Sequence, residues 1–410
     1  MRISILGHGV VGKGVWDILQ SKTLKKKYEV RNVLVKKGEK TADFMTESFD
    51  TILNDDSELV IECMGGVDPA YEFATKCIQA GKSFITSNKA LVAAHGIDLL
   101  NLAQKNNKAF LFSAACGGSI PILQNLCLAR KTDEILWAGG ILNGTTNYIL
   151  DSMDRKGLTF NQALAEAKAL GYAEFDPTAD LSGMDTMRKI ILISMVTFDI
   201  LPNSDYNVEG IQSVSINDFK VAKELGYTIK LIGCCGLSSG LSSGRLYAYV
   251  QPVLFSKSNF HSSVYDNINL VQYQGNNSGI MSFMGQGAGR YPTASAILRD
   301  VTSFSEGQMQ MLNEKCTVGF VNNDAQECVF SYFVRVEEDF VNEIESKVGV
   351  MNRFKTSHNT ESTFTYLQTA PASVKTMHAL AANLRSRGSK LFFAQMEPTH
   401  LPVSNSNLAN

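Results

Sequence analysis

The sequence has no uninterrupted apolar run near the ~18 residues that a membrane-spanning helix needs, so no span is expected. It has no excess of either charge. Its 38 Lys+Arg face 40 Asp+Glu, for a net charge of −2 and a pI near 6.3, which leaves no footprint for nucleic acid or an anionic membrane. The one basic run, Lys22–Lys27 (KTLKKK), is short and reads as a solvated loop. The eight cysteines are scattered, with no CxxC or CxxH spacing. That argues against a zinc site or a disulfide framework and fits a reducing, cytoplasmic compartment. The chain opens in a strand pattern (MRISILG) without a charged segment and long apolar core, so no signal peptide is expected. Charged residues are few, at 19 %, while 44 % of residues are apolar, enough to bury cores in 410 residues. A chain of that length suggests two or three domains of roughly 100–200 residues each.

The first third alternates short apolar runs with helical periodicity. Strands are expected at Arg2–Leu6, Arg31–Val35, Leu59–Cys63, Ser83–Thr86 and Ala109–Phe112, with helices such as Pro69–Ala80 and Gly96–Lys105 between them. This βαβ alternation predicts a Rossmann-type parallel sheet with right-handed crossovers. After Pro121 the strands (TIKLIGCCG, RLYAYVQPVLF, NINLVQYQG, GIMSFMGQG) suit an open, mostly antiparallel sheet in an α+β substrate domain. From about 325 the runs FSYFVRV, FVNEIESKVG, FKTSH, TFTYLQT, SVKTMHALAANLRSRG and LFFAQME read as β-α-β-β-α-β, the ferredoxin-like order. The expected fold class is α/β, with domains over 1–125 (plus a return segment about 285–320), 126–284 and 325–398, then a disordered tail at 399–410.

Gly7-His8-Gly9-Val10-Val11-Gly12 follows a strand and opens a helix, as a dinucleotide fingerprint requires. Gly7 permits the tight turn, Gly9 lets backbone approach a pyrophosphate, and Gly12 allows close packing of helix on strand. Free N–H groups at the helix start, with Val10 and Val11 in the first turn, suit the phosphates. A tight structural turn is the alternative. After the second strand come Lys36 and Lys37 where an acid would favour NAD, which leans toward NADP. Met64 and Gly65 follow the next expected strand, where backbone could approach the cofactor or simply open a helix. Ser87 and Lys89 follow the strand after that, on the side of the sheet that faces a cofactor crevice. Finally, LGYAEFDPTADLSGMDTMRK (170–189) gathers Glu174, Asp176, Asp180 and Asp185, with Lys189 four residues after Asp185. Taken alone, this is a solvated loop with a helix pair worth ~0.3–0.5 kcal/mol.

The GxGxxG, TSNKAL, CGGSIPIL, GILNGTTNYIL, LGYAEFDPTADLSGMDTMRK, VEGIQSVSINDFKVAKELGYTIKLIG and PTASAILRD stretches, in that order over residues 1 to about 320, resemble the homoserine dehydrogenase family. The resemblance implies NAD(P)-dependent interconversion of L-aspartate 4-semialdehyde and L-homoserine, a step of threonine and methionine biosynthesis. By position, Lys189 resembles the family's general acid/base, Asp185 its orienting partner, and Lys89 the lysine beside the nicotinamide. Glu174 resembles the carboxylate that binds the substrate ammonium. Thr145, Tyr172, Asp180 and Gly144 resemble the rest of the pocket. Acids suit a substrate that carries an ammonium, and a cation suits the alkoxide that the hydride step makes or removes.

The resemblance also implies a sodium ion on the loop holding Ser113, Cys116, Gly118 and Ile120, and a homodimer formed through the substrate-domain sheet. The C-terminal block resembles the ACT-type regulatory domain of longer family members. The chain departs from the family in three places. Ser113 stands where a glutamate is common, Thr186 and Met187 replace small residues, and Glu337-Glu338-Asp339-Phe340 has no glycine at the usual effector turn. Two other readings stay open: a non-catalytic nucleotide and amino-acid sensor, and a dehydrogenase of another amino-acid semialdehyde.

Overall fold

The computed structural model describes residues 1–203, 206–238, 245–308, 311, 319–354 and 364–397. Two compact units emerge. The first comprises Met1–Asp133, Ile191–Asp199 and Phe283–Gly319; the second comprises Glu134–Ile190, Ile200–Ser282 and the described residues from Phe320 on.

The first unit is built on a six-stranded sheet in the order Met45–Thr46, Glu29–Leu34, Arg2–Leu6, Leu59–Glu62, Ser83–Thr86, Phe110–Leu111. All its pairings are parallel. In sequence order this is 3-2-1-4-5-6, the doubly wound dinucleotide-binding arrangement. Helices cover the sheet, so the strands Arg2–Leu6, Leu59–Glu62 and Ser83–Thr86 are buried along nearly their whole length, with Ile3, Ile5, Leu6, Val60, Ile61 and Phe84 fully buried. Five of the six strands coincide with expected ones. Met45–Thr46 is too short to show a period. The helix expected from Gly96 begins earlier, at Lys89, because Asn88 caps it by accepting from Leu91 N–H at 3.1 Å.

The second unit carries a ten-stranded sheet. Its path runs Gly279–Gln286, Ile268–Gly275, Ile135–Ile141, Tyr227–Ser238, Arg245–Ser256, then Phe392–Met396, Tyr332–Glu337, Phe364–Thr369 and Val350–Phe354, with Asn207–Val208 paired to Arg245–Ser256. The last four strands lie in the order fourth, first, third, second of their block. Together with helices Glu338–Val348 and Val374–Ser386 they form the ferredoxin-like pattern. This block continues the sheet, because Phe392–Met396 pairs in parallel with Arg245–Ser256 through Val253–Gln395 and Leu254–Met396. A strand lies at Val350–Phe354; of the strand expected over FKTSH only Phe354 is described, and residues 355–358 and the tail fall outside the described residues.

Glycines in the central strands let layers approach closely. A Cβ on Gly139 would sit 2.2 Å from Gly233 O, and one on Gly233 would sit 2.7 Å from Thr186 Cγ2. Thr186 and Met187, the departures within helix Met184–Phe198, are therefore buried packing residues, and Thr186 sits over the space that Gly233 leaves.

Candidate active site

In the first unit, Gly7 has φ +99°, and a Cβ there would meet Met64 Cγ at 3.0 Å and Cys63 O at 3.1 Å. A Cβ on Gly12 would lie 2.0 Å from Gly7 O, so the turn closes only with glycine. Gly9 faces open space at the N-terminus of helix Val10–Leu19, and Val10 is exposed while Val11 is half-buried. The turn thus presents open backbone at a helix start, which suits a pyrophosphate. Lys36 and Lys37 are exposed just beyond strand Glu29–Leu34.

The loops after the next two strands are tied together by one buried carboxyl. Glu62 accepts from Met64 N–H at 2.6 Å and from the Thr86 hydroxyl. Thr86 Oγ1 in turn accepts from Asn88 N–H at 2.9 Å, and Asn88 Nδ2 donates to Gly66 O at 2.6 Å. Met64, Gly65 and Ser87 are therefore carried on two mutually bonded loops at the carboxyl ends of parallel strands, and Lys89 opens the helix that follows the second. Sequence reading missed Glu62, an acid inside an apolar strand, although that placement was visible in LVIE.

Burial pushes the Glu62 carboxyl up from 4.5 to about 7, against its two hydrogen bonds. The native state therefore holds an extra proton between those values. Stability from this group is fully present below pH ~4.5 and is lost as pH rises through about 7. Glu62→Gln is expected to be more stable than the parent above pH 7, on the order of 2 kcal/mol, with the difference vanishing by about pH 5. Chemical unfolding across that range checks it, and parallel pH profiles would contradict it.

In the second unit, the acid-rich stretch separates into parts. Asp176 forms a local turn, accepting from Thr178 N–H at 3.1 Å and Thr178 Oγ1 at 2.6 Å. Glu174 is exposed on the same loop. Asp180 and Asp185 instead converge on Asn143, whose Nδ2 donates to Asp180 Oδ1 at 2.7 Å and to Asp185 Oδ2 at 2.8 Å. Lys189 Nζ lies 2.8 Å from Asp185 Oδ2 and donates to Leu142 O at 2.6 Å. The Lys189 and Asp185 side chains are only 7 % and 8 % exposed, so this is no solvated helix pair.

Asn143 also caps helix Gly144–Lys156 by accepting from Thr146 N–H at 2.8 Å. It thus both caps the helix and joins the two carboxylates, where NGTTNY in sequence fits either a substrate-binding turn or a cap. Buried Thr145 donates Oγ1 to Tyr172 O at 2.5 Å, fixing the partly exposed Tyr172 beside the cluster's helix. Gly144 is there for close approach, since a Cβ would meet Asn267 O at 2.6 Å.

On the candidate sodium loop, Ser113 N–H donates to Asp300 Oδ2 at 2.8 Å, so a carboxylate from helix Arg290–Ser305 is bonded to the start of the loop. Ser113 O accepts from Cys116 N–H at 3.4 Å and Ile120 O from Ile122 N–H at 2.9 Å. Each carbonyl keeps a second lone pair. Among the described residues no cluster of three or more His, Cys, Asp and Glu is placed to hold a metal, so an ion here would rest on carbonyls.

Residues 121–302 match the family profile described as Homoserine dehydrogenase, and residues 7–113 match Homoserine dehydrogenase, NAD binding domain. The homoserine dehydrogenase of Synechocystis sp. is 37 % identical over 313 residues, which cover 73 % of this chain and 72 % of that one. That of Lactococcus lactis is 35 % identical over 317 residues, 73 % of each. The chain belongs to the homoserine dehydrogenase family. It is an oxidoreductase that uses NAD(P), and its substrate is a small molecule. A solved homoserine dehydrogenase from Thiobacillus denitrificans superposes with TM-score 0.83 at 26 % identity, covering 97 % of this chain and 98 % of that chain. One from S. aureus superposes with TM-score 0.74 at 28 % identity, covering 97 % and 99 %. Among the described residues no helix is long and apolar enough to cross a membrane.

Proposed function

We propose that Lys189 is the group that moves the proton in homoserine oxidation and aspartate-semialdehyde reduction. The observation that carries this is a buried ammonium held from two sides, by Asp185 and by the Leu142 carbonyl. An ammonium has three N–H donors. Two are committed, and the third is assigned to the substrate oxygen. NAD(P) supplies or accepts the hydride. Lys189 gives a proton to the oxygen as the alcohol forms and takes it back in the reverse direction. Asp185 and Asn143 fix the lysine's position. Asp180 lines the pocket with Thr145, Tyr172 and Gly144, Glu174 binds the substrate ammonium, and Lys89 assists from the nicotinamide side.

The same reading places the cofactor on Gly7, Gly9, Val10, Val11, Gly12, Met64, Gly65, Ser87 and Lys89, with Lys36 and Lys37 receiving a 2′-phosphate. NADP is therefore the preferred cofactor. Homoserine-dependent reduction of NADP+ and NAD+, measured side by side at alkaline pH, tests both activity and preference. Lys36→Ala/Lys37→Ala is expected to lower kcat/KM for NADP+ about tenfold, ~1.4 kcal/mol, and to leave NAD+ nearly unchanged. Equal losses with both would remove the phosphate assignment.

A sodium ion on carbonyls of Ser113, Cys116, Gly118 and Ile120 would be structural. We further infer a cytoplasmic homodimer without nucleic-acid or membrane partners. Strand Gly279–Gln286 at the sheet's end supports self-association, because Ile280, Met281 and Met284 on it are exposed. The functional organisation is then a dinucleotide-binding domain, a substrate and dimerisation domain, and an ACT-like C-terminal domain.

A further inference from the structure

We infer that Arg385, in the C-terminal ferredoxin-like block, is a positioning residue of the substrate site, acting through Glu209 and the strap that backs the turn between Asp180 and Asp185. This rests on the assignment of Asp180, Asn143, Asp185 and Lys189 as the substrate site.

The strap is the stretch Val208–Asp218. It is gripped near both ends by arginines of the C-terminal block. Arg385, on helix Val374–Ser386, forms a two-pronged pair with Glu209: Nη1 to Oε2 at 2.7 Å and Nη2 to Oε1 at 2.9 Å. The guanidinium is itself anchored by donating Nε to Leu391 O at 3.2 Å and Nη2 to the same oxygen at 3.0 Å. Arg335, on strand Tyr332–Glu337, donates to Asp218 Oδ2 at 2.7 Å, Ser215 Oγ at 2.8 Å and Ser213 O at 2.9 Å. Fork geometry on a carboxylate fixes direction as well as distance.

The strap lies directly on the acid turn. Ile211 N–H donates to Leu181 O at 2.9 Å. A Cβ on Gly210 would sit 2.1 Å from Leu181 O and 2.7 Å from Ser182 Cα, and one on Gly183 would lie 3.0 Å from Val208 Cγ1. Backbones this close cannot slide independently. Leu181, Ser182 and Gly183 are three of the four residues between Asp180, which accepts one Asn143 N–H, and Asp185, which accepts the other. Displacing Glu209 therefore displaces the turn that sets the spacing of these two carboxylates. Among the described residues, neither arginine hydrogen-bonds to a residue assigned to substrate or cofactor. A separately folded appendage would have no need to hold this strap so directionally.

The test uses the full chain with Arg385→Met and Arg385→Lys, reading KM for homoserine, KM for NADP+, kcat and melting temperature. Arg385→Met is expected to raise the homoserine KM about tenfold, leave the NADP+ KM within twofold, and lower kcat less than KM rises. Arg385→Lys, which keeps charge but not the fork, should raise homoserine KM about threefold. The exchanged pair Glu209→Arg/Arg385→Glu should recover part of the loss. A lower melting temperature with unchanged homoserine KM would overturn the inference, as would equal rises in both KM values. If Arg385→Met does not fold, Arg385→Lys is read by the same criteria. Lys189→Met in the same assay tests the site assignment separately: normal turnover there would remove the site, whereas lost turnover with an unchanged Arg385→Lys homoserine KM would remove only the positioning role.

Discussion

Lys189→Met is expected to lower kcat about 10³-fold, with the affinity for NADP+ unchanged. The size follows from the loss of a positioned proton donor and acceptor, ordinarily worth 10²- to 10⁴-fold. Methionine keeps most of the apolar stem that the buried site encloses, so the substitution removes the ammonium rather than the packing. Asp185 loses its cation but keeps the Asn143 amide at 2.8 Å, which limits the cost of leaving that carboxylate buried. The residues assigned to the cofactor belong to the other compact unit, so fluorescence titration with NADPH should give the parent's dissociation constant. Turnover near that of the parent would eliminate Lys189 as the proton-transferring group. A loss of NADPH binding would mean that the effect is structural.

The parts legible in sequence were those written locally. The Gly7–Gly12 turn announces itself because three glycines stand at fixed spacing. Gly7 and Gly12 answer a steric demand of the fold, since a Cβ on Gly12 would lie 2.0 Å from Gly7 O, while Gly9 leaves its backbone open. Asp185 and Lys189 were legible because four residues on a helix put them on one face. Which other acid joins them was legible only through the family resemblance, which singles out Asp180, and not from spacing. Asp176 and Asp180 look alike in FDPTAD, yet one closes an Asx turn and the other reaches Asn143, 37 residues away in sequence. Glu62 shows as an acid in an apolar strand, but its role was not legible because its partners are Thr86, at the end of the neighbouring strand, and Met64 N–H in the following loop. The β-α-β-β-α-β order of the C-terminal block was likewise readable from periodicity. Its parallel pairing to Arg245–Ser256 was not, since non-local register leaves no mark on either strand.

Arg335→Met should destabilise the protein by about 3–5 kcal/mol, the usual consequence of removing one partner from a buried ion pair. The Asp218 side chain is fully buried and that of Arg335 is 8 % exposed, with the guanidinium also 5.2 Å from the Phe364 ring centre. Even with the arginine present, burial holds the Asp218 carboxyl above the ordinary carboxylate range. Without it, Asp218 keeps only neutral donors, including Ser215 N–H at 2.7 Å and the Ser215 hydroxyl at 3.0 Å. The folded-state pKa then rises further. A raised folded pKa gives stability that is present below the unfolded value and lost as pH climbs through the folded one. The deficit of Arg335→Met should therefore be smallest near pH 5 and largest near pH 8. Asp218→Asn/Arg335→Met should regain most of the loss at pH 8, because asparagine can still accept from Ser215 N–H and carries no charge to strand. Urea midpoints for the parent and both variants at the two pH values check this. A deficit that is the same at pH 5 and pH 8 would show that Arg335 acts by packing against Phe364 and Phe392 rather than by balancing Asp218.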